Sequence, residues 1–450
     1  MKQFLFQAIP AHRRAGCSAL CAFTMGASLL FSQPVSAAVS SPAISASSSS
    51  ALPSAPIQTF AFSNGPSAKP LQTNDTYSSW QWAYWNDGTF ERSVEMNYLE
   101  FTEEANLDHS LAEAVPGNGP ASRAYINIES VPGMDINLPD AWKVYDESTS
   151  KKRDVIVALI DSGVDITHPD LSSSIWVNSD EIPNDGIDND GNGYIDDVYG
   201  WNFIDNTPII HDSTQLSEES HGTHGAGTIA AARGNETGIA GIADSSHVKI
   251  MVLKTMDGSR GIGHYQSIVD AISYAEENGA SICNLSLGTY TDYKEIQNAI
   301  SQSQMLFVAA CGNGDETYNI GYDLEISPVF PASYPQNNII SVASLNFDGN
   351  LSNSSNYGAV SVDLAAPGES ILSTLPGGRY GMMSGTSMAA PMVTGIAALL
   401  YSYHTDWNLL DVKSALLSTT KPLLSLREKT VTGGIPDAYA ALMWQKPDTP

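Results

Sequence analysis

The sequence predicts an α/β protein, a parallel sheet with helices on both faces gathered into a single domain. Four runs, Val155–Ile160, Val248–Leu253, Ile282–Ser286 and Met305–Ala310, are each about a strand long and almost continuously apolar. Strands buried on both faces read this way. Between them lie longer segments of helical character, His221–Ala232, Tyr265–Asn278 and Tyr293–Gln302. Strands that alternate with helices require crossovers, which cover both faces of a parallel sheet. In such folds a site forms beyond the carboxyl ends of the strands.

The 450 residues are 42 % hydrophobic and 16 % charged, the balance of a folded globular chain large enough for a substantial core. The first 37 residues stand apart. Lys2, Arg13 and Arg14 form a basic region, Ala15–Phe31 is apolar, and Val35-Ser36-Ala37 has the small residues of a cleavage site. Residues 1–37 are therefore expected to be a signal peptide, and the protein to be secreted, with periplasmic retention open. The Ser/Ala/Pro-rich stretch 38–73 is expected to be a disordered leader. The folded domain is expected over 74–444, with a short tail at 445–450.

Forty-nine acidic and 21 basic residues give a formal charge of −28, and −31 once the signal is removed. A surface this acidic repels phosphates and anionic lipid, which argues against nucleic acid and, after signal removal, a membrane as partners. Cys17 and Cys21 leave with the signal. Cys283 and Cys311 close apolar runs and are expected to be buried free thiols, with no disulfide framework. Trp80, Trp82 and Trp85 mark the start of structure, whereas the acidic stretch 88–123 carries no periodic signal.

The chemistry-bearing residues fall at strand and helix ends. Asp161 closes the first apolar run in Asp161-Ser162-Gly163-Val164-Asp165. His221 and His224 open a glycine-rich helical segment, 220–228. Two histidines three apart could ligate a metal, but no third zinc-type ligand lies nearby. Ser387 sits where the loop Gly381–Gly385 gives way to an alanine-rich apolar helix, at the helix end whose N–H groups lack intrahelical partners. A serine nucleophile needs a base to take its proton and a carboxylate to fix that base's tautomer. His221 and Asp161 supply those groups. Asn313, directly after the fourth apolar run, offers a side-chain amide for an oxyanion.

The motifs DSGVD (161–165), HPDL (168–171), SHGTHGAGT (220–228), NLSLG (284–288), AACGN (309–313) and GTSMAAP (385–391) resemble those of the subtilases, the subtilisin-like serine peptidases. Asn74-Asp75, Gln81-Trp82, Asp135-Ile136-Asn137 and Ala141-Trp142 extend the likeness toward the N-terminus. The resemblance implies a serine endopeptidase acting on polypeptides, as a monomer. Asp161 would orient the imidazole, His221 would be general base and then acid, and Ser387 the acylated nucleophile. Asn313 and the Ser387 N–H would hold the oxyanion. Substrate would pair as a strand between Gly261-Ile262-Gly263 and Ser286-Leu287-Gly288, with Tyr265 and Leu287 bordering the fourth pocket before the cut. Val329 would floor the primary pocket and make it shallow. The alternative is a non-catalytic secreted binding module on the same fold.

Between the aspartate and histidine motifs lies Asn184–Asp197. Asp188, Asp190, Asn192 and the Gly193 turn reproduce the first half of a calcium loop, in which alternate oxygens converge on a hard cation. Its twelfth position is Tyr199 instead of glutamate, so closure falls to Asp196 or Asp197. The candidate ligands are Asp188, Asp190, Asn192, Tyr194, Asp196 and Asp197, and the expected cofactor is structural Ca2+. The resemblance implies a second site using Asp170 with the loop Asn235–Ile242.

Overall fold

The computed structural model describes residues 73–96, 124–214, 219–257, 262–315 and 317–447. The expected signal and, apart from Thr73, the expected leader lie outside the described residues. A turn of 3-10 helix, Ser78–Trp80, precedes β1 (Glu91–Met96), β2 (Ala124–Glu129) and α1 (Leu138–Glu147). β1 and β2 pair antiparallel, from Glu91 opposite Glu129 to Met96 opposite Ala124. The stretch that carried no periodic signal is thus bounded by a two-stranded ladder.

Next come β3 (Val155–Asp161), β4 (Gly200–Asn202), α2 (Ser220–Ala230), β5 (Val248–Lys254), β6 (Met256–Asp257), β7 (Ile262–Gly263) and α3 (Tyr265–Glu277). They are followed by β8 (Ile282–Leu285), α4 (Lys294–Gln302), β9 (Leu306–Ala310), β10 (Ile339–Leu345) and β11 (Leu364–Pro367). A hairpin of β12 (Ile371–Leu375) and β13 (Arg379–Met383) leads into α5 (Thr386–Tyr403) and α6 (Leu409–Ser418). The short ladder of β14 (Lys421–Pro422) with β15 (Gly434–Ile435) and α7 (Ala438–Leu442) complete the described chain. The four expected strands and three expected helices are present, with ends shifted by one or two residues.

Seven parallel strands form the central sheet in the order β11-β10-β9-β8-β3-β5-β4. Alternate residues of β3 face opposite sides. Val155, Val157 and Leu159 join the core shared with α2 and α5, whereas Ala158 and Ile160 join the one shared with α3 and α4. Both faces are covered, so every second position cannot turn polar, and the run stays apolar. Each fully buried Val, Leu or Ile contributes about 1.5–3 kcal/mol. α5 is buried along nearly its whole length and packs on β8, β9, β10 and β11.

The chain runs from β3 out to the edge strand β4, comes back to β5 beside β3, and then places β8 on the other side of β3. Crossovers diverge there, which opens a crevice at the carboxyl ends of the strands. Asp161 ends β3, Lys254 ends β5, and Asn313 follows β9 on that same edge.

Candidate active site

Asp161 is buried at the sheet edge, and its carboxylate accepts the N–H of Ser162 at 2.7 Å. His221, in the first turn of α2, places Nδ1 2.8 Å from Asp161 Oδ1 and 3.0 Å from Oδ2. This approach depends on Gly222. A Cβ at that position would lie 2.2 Å from the Gly163 carbonyl oxygen and 3.1 Å from Asp161 Oδ1, so any side chain would push α2 off the strand. His224, one turn further in, is fully buried with Nε2 2.8 Å from the Ile371 carbonyl. Burial holds its pKa down at about 4, so it is a neutral imidazole at neutral pH.

Ser387 lies in the first turn of α5. Its hydroxyl donates to the Ser286 carbonyl at 3.1 Å, while the Ser286 hydroxyl donates to the Ser387 carbonyl at 2.9 Å. Buried Asn284 supports this clamp: its amide donates to the Ser286 hydroxyl at 2.9 Å and accepts from Thr394 of α5 at 2.8 Å. The NLSLG and GTSMAAP motifs are thereby fixed to one another. Asn313 accepts from the Thr386 N–H and hydroxyl at 3.0 and 3.1 Å, which fixes the amide's oxygen end and hence its donor end. Gly385, at φ 134°, lets the loop pass; a Cβ there would meet Asn313 Nδ2 at 3.1 Å.

One small cavity of about 20 Å³ is lined by Ser286, Leu287, Gly288, Gly312, Asn313, Val329, Thr386 and Ser387. Val329 is buried, with Cγ1 2.7 Å from where a Gly288 Cβ would stand. Across the cleft, Ile262 and Gly263 form β7, paired with β6; Gly261 lies outside the described residues. Tyr265 opens α3, stacked between His264 and Tyr293 with ring centroids 5.1 and 4.7 Å apart. Cys283 and Cys311 are free and buried, as expected. Burial pushes both thiols up, Cys311 to about 12, so neither is a thiolate at neutral pH.

In the acidic loop, oxygens of Glu181, Asp188 and Asp190 lie within 4.8 Å of one another. Sequence reasoning missed Glu181, which precedes the twelve-residue template. Its carboxylate accepts the N–H groups of Asn189, Asp190 and Asp196, at 2.6, 3.2 and 3.0 Å, so it is the hub on which the loop is wound. Backbone N–H groups, that of Gly193 first, hold the Asp188 carboxyl below its ordinary range. Asp197 is buried and accepts from Asn178, Asn192 and Tyr274. Asp196 instead accepts the N–H groups of Asp185 and Gly186 and is not one of the converging trio. The Tyr194 ring packs on Trp201, Phe203 and Tyr274, leaving its carbonyl as the group that could serve a cation. An all-oxygen donor set of converging carboxylates fits a hard divalent cation. At the implied second site, buried Asp170 accepts from the Asn235 amide, the Ile239 N–H and the Tyr380 hydroxyl. Buried Asp75 accepts the N–H groups of Gly234 and Asn235.

Residues 152–439 match the profile described as the Subtilase family. The chain belongs to the subtilase family. It is 37 % identical to thermitase of Thermoactinomyces vulgaris, over 69 % of this chain and 94 % of that protein. It is 36 % identical to the major intracellular serine protease of Bacillus subtilis (strain 168), over 63 % of this chain and 80 % of that one. Among solved structures, one described as proteases from Pseudoalteromonas arctica PAMC 21717 aligns with a TM-score of 0.55 at 26 % identity, over 84 % of this chain and 99 % of that one. This subtilase is a subtilisin-like serine endopeptidase, and its substrates are polypeptides. The alternative of an inactive binding module on this fold finds no support. Among the described residues, no helix is long and apolar enough to cross a membrane.

Proposed function

We propose that this subtilase is a secreted, monomeric, calcium-stabilised endopeptidase that cleaves through an acyl-enzyme on Ser387. The observation that carries the reading is the buried pair of Asp161 and His221 Nδ1 at 2.8 Å, with the histidine on a helix that packs against α5, whose first turn carries Ser387. A carboxylate at Nδ1 keeps the proton there and leaves Nε2 as the acceptor. His221 Nε2 takes the Ser387 proton as the hydroxyl oxygen attacks the scissile carbonyl. Negative charge then collects on the carbonyl oxygen, where the Asn313 amide and the Ser387 N–H hold it. His221 returns the proton to the leaving amine, and water repeats the sequence to release the acid. Substrate lies as an added strand between Gly261–Gly263 and Ser286–Gly288, with Tyr265 and Leu287 bordering the fourth pocket.

Val329 supports a preference for small side chains before the cut, since a cavity of about 20 Å³ holds no aromatic ring. Glu181, Asp188 and Asp190 would hold calcium, with Asn192, the Tyr194 carbonyl and Asp197 close by; the ion would supply positive charge that rigidifies the loop. Secretion rests on the basic, apolar and small-residue sequence of 1–37, and the domain is read as 74–444. Labelling with a fluorophosphonate tests the core of the proposal. Modification of Ser387 in the wild type, lost in Ser387→Ala, is the expected result; a folded wild type that stays unlabelled overturns it. N-terminal sequencing of protein from the culture medium should find a start at or beyond Ala38.

A further inference from the structure

A second histidine cluster stands beside the candidate catalytic one. His211, on the segment between β4 and α2, places Nε2 3.3 Å from Asp165 Oδ1, and its Nδ1 hydrogen-bonds to Glu219. Glu219 is fully buried, immediately before α2 and two residues before His221. It also accepts the Asp212 N–H at 2.7 Å and lies 3.6 Å from the Lys254 ammonium. Asp165 is buried too; it accepts the Gly377 N–H at 2.7 Å, and its own N–H donates to Thr223 of α2 at 3.0 Å. The segment is pressed into place by Ile210, whose carbonyl would stand 2.5 Å from a Cβ at Gly163. The cluster therefore joins the β3 exit, the end of β5, the β12–β13 turn and the first turn of α2.

We propose that His211, as an imidazolium between Glu219 and Asp165, is a positioning residue that holds the first turn of α2, and so aligns His221 with Asp161. The inference rests on the assignment of His221 as the catalytic base. Its charge arithmetic is simple. Two buried carboxylates face one lysine ammonium and one imidazole, so these four charges balance only while His211 is protonated, and half-buried Asp212 adds a further negative charge nearby. A neutral His211 leaves a buried negative charge uncompensated, which is strongly destabilising.

The hydrogen bond to Glu219 raises the His211 pKa above its ordinary 6.5, against burial, and the charges of Glu219, Asp165 and Asp212 raise it further. Burial opposes ionisation of Asp165, but hydrogen bonds from Thr167 and Gly377 and the charge of His211 leave its pKa net lowered. A raised pKa in the folded state means that the imidazolium's contribution is fully present below about 6.5. It fades as pH rises through the folded value. His211 therefore sets an alkaline limb: activity falls as it loses its proton.

The test is a profile of kcat and KM between about pH 6 and 9.5 on a chromogenic peptide amide with alanine before the cut, using the full chain. Wild type should show an alkaline fall in kcat. His211→Gln should lower kcat about tenfold without that limb and with KM little changed, the size of loss that misplacing a catalytic group brings. Adding Glu219→Gln to His211→Gln removes the uncompensated charge and should recover most of kcat, which a space-filling role would not. His211→Lys stays charged throughout and should carry activity across the alkaline range. An unchanged alkaline limb in His211→Gln, or a double variant no better than the single one, overturns the inference. Fluorophosphonate labelling separates the two levels. Wild type unlabelled at every pH sinks the catalytic assignment, whereas a labelled wild type with an unmoved limb sinks only the role of His211.

Discussion

Asp161 and the trio of Glu181, Asp188 and Asp190 handle negative charge in opposite ways. Asp161 is buried, and its charge is met inside the protein by the Ser162 N–H and the His221 imidazole. The trio is met by neutral donors, the N–H groups of residues 189–193 and 196 and the amides of Asn178 and Asn192, while its own oxygens stay within 4.8 Å of one another. Like charges at that distance repel unless a cation joins them. The first site finds its partners within the protein, whereas the second would take its missing positive charge from a bound cation. Perturbing the first should change turnover with little change in stability, and perturbing the second should do the reverse.

Asp161→Asn breaks the first half of that contrast most severely. An amide at this place favours the wrong tautomer of His221, and kcat should fall about 10⁴-fold at neutral pH. The melting temperature in excess calcium should stay close to that of the wild type. Steady-state hydrolysis showing less than a tenfold loss would mean that Asp161 does not set the tautomer. Asn313→Ala should come next, lowering kcat by about 10²–10³-fold, as removal of one oxyanion donor does. If KM rises while kcat holds, Asn313 binds the ground state and not the transition state.

Val329→Gly sharpens the contrast from the side of shape. Removing the valine opens the cavity beside Gly288 and Gly312, so kcat/KM for phenylalanine relative to alanine before the cut should rise about 10–100-fold, the range that side-chain fit provides in an apolar pocket. A peptide library cleaved with an unchanged profile would remove Val329 from the pocket.

Legibility in the sequence followed the same division. β3, β5, β8 and β9 could be read because strands buried on both faces stay apolar at successive positions. β10 was harder, since Ser341 and Ser344 interrupt its run. The fold buries both, and the Ser344 hydroxyl finds Ser352 at 2.8 Å, a partner no local pattern reveals. β4 and β11, of three and four residues, are too short to carry a period. Asp161, His221, Asn313 and Ser387 stand out as candidates because each sits in a motif whose small residues permit close backbone approach. Glu181 and the cluster of His211, Glu219 and Asp165 do not, because only the fold closes the distances between them. An acidic residue shortly before a calcium-type loop, as Asp180-Glu181 stands here, is the one local signal that could have been used.

The smallest expected effect probes the cation-dependent half of the comparison. A cation present at about 100 times its Kd stabilises the folded state by about 2.7 kcal/mol. A domain this large shifts its melting temperature by about 1–2 °C per kcal/mol, so a chelator should lower it by about 3–5 °C. Glu181→Gln should bring the wild type's calcium-bound melting temperature down toward its chelated one, because the hub carboxylate both winds the loop and lends charge to the ion. Asp161→Asn should keep the full chelator response, because its charge is settled within the protein. Identical melting with and without chelator, together with no heat on calcium titration, would show that the loop's neutral donors suffice and that the two carboxylate sites are alike after all.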